Sequence, residues 1–336
     1  MLFKLIVLSL FYSTELKSRD SKNTDVKKCY DIPRHLGFMK SGANDVVVVK
    51  QPDGSLKSTP FQITVGKMSN HWTFIYSREG KTGNLFVNGV HVLSKEVTFK
   101  IEGEGQVMIY DNVQDTSCET TSENLQKMNL KEGRNEAKMV FDDFSLTQPF
   151  DIYFYDQTKK LIITDIDGTI TKSDIIGNLA KVFKFDYHHK GVVELFDSVS
   201  KNGYVMIYLT AKPQAFDEMT KEYLFETLQD RDGYSLPLSP VIMSPTVTLN
   251  GATQDMAGNK LASLQSLLNL FDLKAKVVEG AYGNKDTDTK AYLDSGIPDN
   301  KVFKVNKKSE MINVGTNQET SYMEHFKNVA QMYPKY

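Results

Sequence analysis

The sequence predicts an α/β region built on a doubly wound parallel sheet, preceded by a smaller β region. Three observations carry that expectation. Short β-branched runs separated by turn chemistry fill residues 44 to 110. From Lys160 onward apolar runs of strand length alternate with longer helical patterns, which implies parallel strands covered on both faces. One of those strands, Leu161 to Thr164, runs straight into Asp165-Ile166-Asp167-Gly168-Thr169.

In the β region, Val46 to Val49 is a β-branched run, followed at strand spacing by Phe61 to Val65 and Trp72 to Ser77. Gln51-Pro52-Asp53-Gly54 is turn chemistry between two of them. Leu85 to Val87 and Val90 to Val92 flank Asn88-Gly89, a two-residue hairpin signal. Val97 to Ile101 and Gln106 to Tyr110 continue the set. A polar stretch, 111 to 137, interrupts it. Ala137 to Phe141 and Phe150 to Tyr155 then read as strands that rejoin the same small sandwich.

In the α/β region the expected order is strand Leu161 to Thr164, helix Asp174 to Val182, helix Gly191 to Ser200 closed by Asn202-Gly203, and strand Tyr204 to Leu209. Helix Pro213 to Leu228 follows, then helix Lys260 to Phe271 and strand Lys276 to Glu279. Helix Thr287 to Leu293 and strand Val302 to Val305 complete it. Leu236 to Asn250 reads as a polar-apolar loop. The resulting division is 1–36, an N-terminal segment and linker; 37–157, the sandwich; and 158–336, the α/β domain.

Composition narrows the function. With 336 residues and 40% hydrophobic content the chain can bury two cores. A net charge of −2 argues against a nucleic-acid partner. Cys29 and Cys118 are too few for a disulfide scaffold. Met1 to Tyr12 is apolar apart from Lys4 and Ser9, and too short to span a bilayer. It fits a segment lying on a membrane somewhat better than a signal peptide, because no small-x-small cleavage site follows it.

The chemistry sits at the end of the Leu161 strand, where doubly wound sheets place their sites. Strand alternation puts Asp165 and Asp167 on one side. Two carboxylates there repel unless a cation or proton separates them. This D-x-D-x-T pattern resembles the first motif of haloacid dehalogenase-type phosphatases. The resemblance implies Asp165 as nucleophile, forming an aspartyl-phosphate, and Asp167 as general acid and then base. It implies Mg2+ held by Asp165, the Asp167 carbonyl and Asn284. Thr210 and Ala211, at the next strand end, and Lys260, opening a helix, would take the phosphoryl oxygens. Thr169 and Asp288 would lie behind them. Asp286, close to Asp288, reads as a helix cap.

The chain also resembles the lipins, the phosphatidate phosphatases. The stretch VVVVKQPDGSLKSTPFQITVGKM at 46 to 68 looks like their N-terminal conserved region. LKEGRN at 130 to 135, LIITDIDGTITKSD at 161 to 174, SKNGY at 200 to 204, YLTAK at 208 to 212 and AYGN at 281 to 284 look like the C-terminal one. Lipins carry Asn in the position of Asn284 too. The resemblance implies an immunoglobulin-like sandwich assembled from both conserved regions beside a haloacid dehalogenase-like domain. It implies hydrolysis of phosphatidate to diacylglycerol by a cytoplasmic enzyme, peripheral on endoplasmic reticulum or nuclear envelope membrane. About twenty polar residues stand where many lipins carry a long insert. Thr210-Ala211-Lys212 replaces the Ser-Ala-Arg common in the family, and a Lys loses the bidentate fork of Arg. The pattern Leu-x-x-Ile-Leu of animal lipins is absent at 176 to 180. Two rival readings are a phosphatidate-binding module without catalysis and a phosphatase of a soluble phosphomonoester.

Overall fold

A computed structural model describes residues 41–65, 80–92, 97–101, 107–111, 115–117, 120–142, 145–172, 187–228, 233–244 and 256–336. The N-terminal segment 1–36, both cysteines, the expected strand 72–77 and the expected helix 174–182 lie outside these residues.

The β region comprises β1 (Gly42–Ala43), β2 (Val46–Lys50), β3 (Leu56–Ser58), β4 (Ile63–Thr64), β5 (Thr82–Val87), β6 (Val90–His91), β7 (Val97–Ile101), β8 (Val107–Asp111), β9 (Asp115–Ser117), β10 (Gly133–Phe141) and β11 (Leu146–Tyr155). Nine of these form one sheet in the order β3-β2-β11-β10-β5-β7-β8-β9, with β6 hairpinned onto β5, while β1 and β4 pair separately. The hairpin is the one that Asn88-Gly89 signals: both residues have positive φ, 50° and 81°, and Val87 pairs with Val90. The strands β10 and β11 do rejoin the earlier ones, β10 antiparallel on β5 and β11 parallel on β2.

The two halves of this sheet are linked through β5, which pairs with β7 at Thr82 and Gly83 and with β10 from Asn84 onward. At Gly83 an added Cβ would come within 2.6 Å of the Phe141 ring, so the change of partner needs a residue without one. The faces then meet in one core, where the Phe61 ring lies 6.2 Å from Phe99 and 6.3 Å from Phe150.

The run Val46–Val49 is apolar throughout because β2 is covered on both sides. Val46 and Val48 enter that core, whereas Val47 and Val49 join Tyr153 and Tyr155 against Leu161, Val205 and Leu264 of the α/β region. The two regions therefore share a strand's two faces.

The second sheet comprises β12 (Leu161–Thr164), β13 (Val205–Pro213), β14 (Val241–Ser244), β15 (Val278–Gly283), β16 (Val302–Val305), β17 (Glu310–Asn313) and β18 (Glu319–Ser321). Their order is β14-β13-β12-β15-β16-β17-β18; the first five are parallel and the last two antiparallel. Several expectations need correction. Val241–Ser244, inside the segment read as a loop, is a fully buried strand beside β13. A four-residue apolar run carries no period by which to tell it from a loop. Strand β13 extends to Pro213, so Thr210, Ala211 and Lys212 belong to the strand. The following helix is broken into a 3-10 turn, Gln214–Phe216, a short α-helix, Asp217–Glu222, and a π turn, Tyr223–Thr227. Lys260 lies one turn inside the helix Met256–Leu268 rather than opening it. The strand expected from Lys276 begins at Val278, after a 3-10 turn. Among the described residues, no helix is long and apolar enough to cross a membrane.

Candidate active site

Because β12, β13, β15 and β16 are parallel, their carboxyl ends share one edge, and the motif residues collect there. Asp165 continues β12 by one residue, its N–H donating to the Tyr282 carbonyl at 2.9 Å. The chain then turns tightly, with Ile170 N–H returning to the Ile166 carbonyl at 2.9 Å. Gly168 sits in this turn at φ 84°, and a Cβ there would collide with the Asn284 amide.

Asp165 is buried, 5% exposed. One of its oxygens meets Lys260 Nζ at 2.5 Å, and the other accepts from Thr169 Oγ1 at 3.2 Å. Lys260, equally buried, reaches a second carboxylate, Asp288, also at 2.5 Å. Asp167 Oδ1 faces Lys212 Nζ at 2.8 Å, and its Oδ2 accepts from Thr210 Oγ1 at 3.4 Å. Ala211 lies between Thr210 and Lys212 in β13. The structure thus gathers Asp165, Asp167, Thr169, Thr210, Lys260, Asn284 and Asp288 at one strand edge.

The electrostatics are unbalanced. Burial, joined by Asp288 and Asp167, raises the Asp165 carboxyl to about 7 against the pull of Lys260. Burial opposes charge on Lys260, but Asp165 and Asp288 outweigh it and hold its pKa above the ordinary lysine value. Among the described residues, three carboxyl groups share two ammonium groups, an excess of acid over base at the site.

Asn284 shows how that excess can be met. Its amide end lies beside the Asp167 carbonyl, Asp288 Oδ2 and Thr169 Oγ1, all of them oxygens. Turned NH2-first it donates to the Asp167 carbonyl at 3.1 Å and to Asp288 Oδ2 at 3.3 Å. Turned oxygen-first, it accepts from Thr169 Oγ1 at 3.5 Å and otherwise faces oxygens that a cation would hold together. Among the described residues, no three His, Cys, Asp or Glu side chains form a metal cluster. A carboxylate, a main-chain carbonyl and an amide oxygen are instead the few hard donors that suit Mg2+, which keeps several of its waters.

One reading is corrected. Asp286 does not cap the helix that follows; it stands exposed, ion-paired to Lys304 at 2.6 Å. The cap carboxylate is Asp288, whose Oδ2 accepts from the N–H groups of Asn284 (3.1 Å) and Lys285 (2.9 Å). Asp288 therefore locks Asn284 with one oxygen and Lys260 with the other.

Sequence reasoning missed two residues as site members, His189 and Tyr322, and met Lys212 only as a departure from the family's Ser-Ala-Arg. Lys212 follows Thr210 by two along a strand, a period that puts both on one face and was there to be read. His189 and Tyr322 had no local signal. Gly168 is held by His189, whose Nε2 lies 3.2 Å from its carbonyl. Since a carbonyl only accepts, Nε2 carries the proton, and Nδ1 accepts from Ser309 Oγ at 2.8 Å. Burial lowers the His189 pKa and keeps the ring neutral. Tyr322, fully buried, donates to the Thr169 carbonyl at 2.9 Å. The turn that follows Asp165 is thereby pinned from behind.

Comparison with known proteins gives the family. The family model described as LNS2 (Lipin/Ned1/Smp2) matches residues 116–334, and that of the lipin N-terminal conserved region matches residues 24–129. The chain is 32% identical to nuclear elongation and deformation protein 1 of Schizosaccharomyces pombe over 57% of its length and 30% of that protein's. It is 31% identical to human phosphatidate phosphatase LPIN2 over 65% of its length and 25% of that protein's. It is 33% identical to phosphatidate phosphatase PAH1 of Arabidopsis thaliana over 57% of its length and 22% of that protein's. The matches thus span only about a quarter of the length of these curated relatives. A single model matching from before β10 to the last turn, through every motif assembled above, places this chain in the lipin family.

Proposed function

We propose that this protein is a Mg2+-dependent phosphatidate phosphatase that hydrolyses phosphatidate to diacylglycerol and phosphate. The observation that carries the reading is the Asp165 carboxylate, buried at the end of the central strand and held between Lys260 and Thr169. A buried carboxylate fixed in one orientation and short of compensating charge is a poor structural element and a good nucleophile. Relatives named phosphatidate phosphatase supply the substrate.

In this reading Asp165 attacks phosphorus, the phosphorus–oxygen ester bond breaks, and Asp167 gives its proton to the departing diacylglycerol oxygen. Asp167 then takes a proton from water, the resulting hydroxide attacks phosphorus, and Asp165 is released with free phosphate. Thr210, the Ala211 N–H and Lys260 receive the phosphoryl oxygens. Lys212, paired with Asp167 in the free protein, turns to those oxygens while Asp167 holds the proton. Asp165, the Asp167 carbonyl and Asn284 would hold Mg2+, which supplies charge neutralisation to the phosphoryl group.

The same reading takes residues 158–336 as a haloacid dehalogenase-like domain and 37–157 as an immunoglobulin-like sandwich, with 1–36 as a membrane-contact segment. It makes the protein a peripheral one of endoplasmic reticulum or nuclear envelope membrane.

The test is phosphate release from phosphatidate in mixed micelles, with and without Mg2+, for the parent protein, Asp165→Ala and Asp167→Ala. Release that needs Mg2+ and disappears in both variants supports the proposal. No release by the parent, with retained binding to phosphatidate vesicles, sinks it in favour of a non-catalytic binding module. Release from soluble phosphomonoesters alone would reassign the substrate.

A further inference from the structure

Lysines lie at both edges of the parallel sheet. At the amino ends of the strands Lys160 and Lys301 pair with Glu279, at 3.6 and 2.6 Å, and nearby Lys159 pairs with Glu132 at 2.9 Å, while Lys274 and Lys276 are exposed. At the carboxyl ends, beside the carboxylate cluster, Lys190, Lys285, Lys307 and Lys308 are exposed. Among the described residues, none of these four has a carboxylate within ion-pair distance.

Their placement is tied to the site. Lys285 follows Asn284 directly. Lys190 follows His189, whose ring joins the Gly168 carbonyl at 3.2 Å to Ser309 at 2.8 Å. Lys307 and Lys308 occupy the turn that ends in Ser309, just past the carboxyl end of β16. The four lysines therefore share one rim, at the sheet edge that carries Asp165.

We propose that this rim is a docking surface for a bilayer carrying anionic lipid, and that it presses the mouth of the site against the headgroups. The choice of a lipid surface rests on the phosphatidate reading above. A charged plane engages all four lysines at once, whereas leaving them unpaired gives nothing to the fold. Attraction of this kind is additive over charges and falls with salt, since it vanishes within a Debye length. It is separate from any contribution of residues 1–36.

The test uses the full chain and vesicles of phosphatidylcholine with or without phosphatidylserine, a lipid this enzyme does not hydrolyse. Each lysine at an anionic surface is worth about fivefold in partitioning, so Lys190→Ala/Lys307→Ala/Lys308→Ala should weaken binding to the phosphatidylserine vesicles on the order of a hundredfold. Its salt dependence should flatten, and its activity on monomeric short-chain phosphatidate should stay at the parent's level. A control, Lys57→Ala/Lys81→Ala/Lys131→Ala on the nine-stranded sheet, removes as many exposed charges and should change nothing. Unchanged binding by the rim variant overturns the proposal. So does an equal loss in the control, which would mean net charge rather than placement. An equal loss of activity on the monomeric substrate also overturns it, since the lysines would then serve the site itself. If the rim governs vesicle binding but no phosphate is ever released, the docking surface stands and the phosphatase reading falls.

Discussion

Two places in this molecule bury carboxylates beside lysines, and they behave differently. Where the β region meets β14, Asp45 is 2% exposed. It accepts from the N–H groups of Val241 and Asp151, each at 2.9 Å, and from Lys221 Nζ at 2.5 Å. One ammonium and two main-chain donors thus hold this carboxylate, with Asp217 near the same ammonium. At the end of β12, among the described residues, three carboxylates, Asp165, Asp167 and Asp288, share Lys212 and Lys260. Burial raises the carboxyl pKa in both places. Burial and a shifted pKa therefore do not by themselves mark a reacting group. What separates the two is whether fixed partners balance the charge.

The sharpest way to break this comparison is to neutralise one carboxylate in each place. Asp165→Asn should lower phosphate release at least about a thousandfold, as loss of a covalent nucleophile does. Its folding free energy should hold or rise, because one of three crowded carboxylates is gone. Asp45→Ala should do the reverse. It takes the hydrogen-bonded partner from Lys221, whose side chain is 21% exposed, and the acceptor from the N–H groups of Val241 and Asp151, and should cost about 3 kcal/mol in chemical denaturation. Activity should then fall only with the folded fraction. Equal destabilisation by the two variants would mean that Asp165 is as structural as Asp45.

A smaller effect comes from Asp217, next to Asp45 in the seam. It accepts from the Ala43 N–H at 2.9 Å and from Gln148 at 3.0 Å, and burial raises its pKa to about 6. The folded protein then binds this proton more readily than the unfolded chain, whose carboxyls titrate near 4. The stability that Asp217 contributes is present below about pH 4 and is lost as the pH rises to about 6, by about 2–3 kcal/mol. His325 has the opposite slope: burial lowers its pKa to about 4, so protonation disfavours folding below about pH 6.5. The readout is therefore the difference between parent and Asp217→Asn from pH 4.5 to 7, which should shrink with falling pH to the parent's advantage. A difference that does not vary with pH would show Asp217 ionised throughout.

The smallest expected effect is at Thr169. Thr169→Val removes one hydrogen bond to Asp165 and keeps the shape. It should lower phosphate release about five- to tenfold, near 1 kcal/mol, with unchanged unfolding. A loss as large as that of Asp165→Asn would make the hydroxyl a participant rather than a support.

The site was largely legible in the sequence because its residues sit at strand ends. An apolar strand followed by Asp165-Ile166-Asp167-Gly168-Thr169 announces its position through alternation and the need for Gly at φ 84°. The same holds for Thr210. Lys212 was legible as the departure from the family's Ser-Ala-Arg, though its place in the strand was not, since β13 runs to Pro213 rather than Leu209. His189 and Tyr322 could not be found this way, because each reaches the turn from a distant element through a single polar atom. The β region was legible as strands, and its Asn88-Gly89 hairpin to the residue, but not as one sheet, since nothing local tells that β5 changes partner at Gly83.

By itself, the sequence determined what depends on neighbours along the chain: strand alternation, turn chemistry, and the spacing that sets two carboxylates on one side of a strand end. Only the tertiary structure decided what depends on contacts between distant segments. It made Val46–Val49 a strand buried on both faces, and set Lys260 between Asp165 and Asp288. It satisfied Asp45 while leaving Asp165 in surplus. The physical reason is that charge balance is a property of a volume, and the residues filling that volume come from segments far apart along the chain.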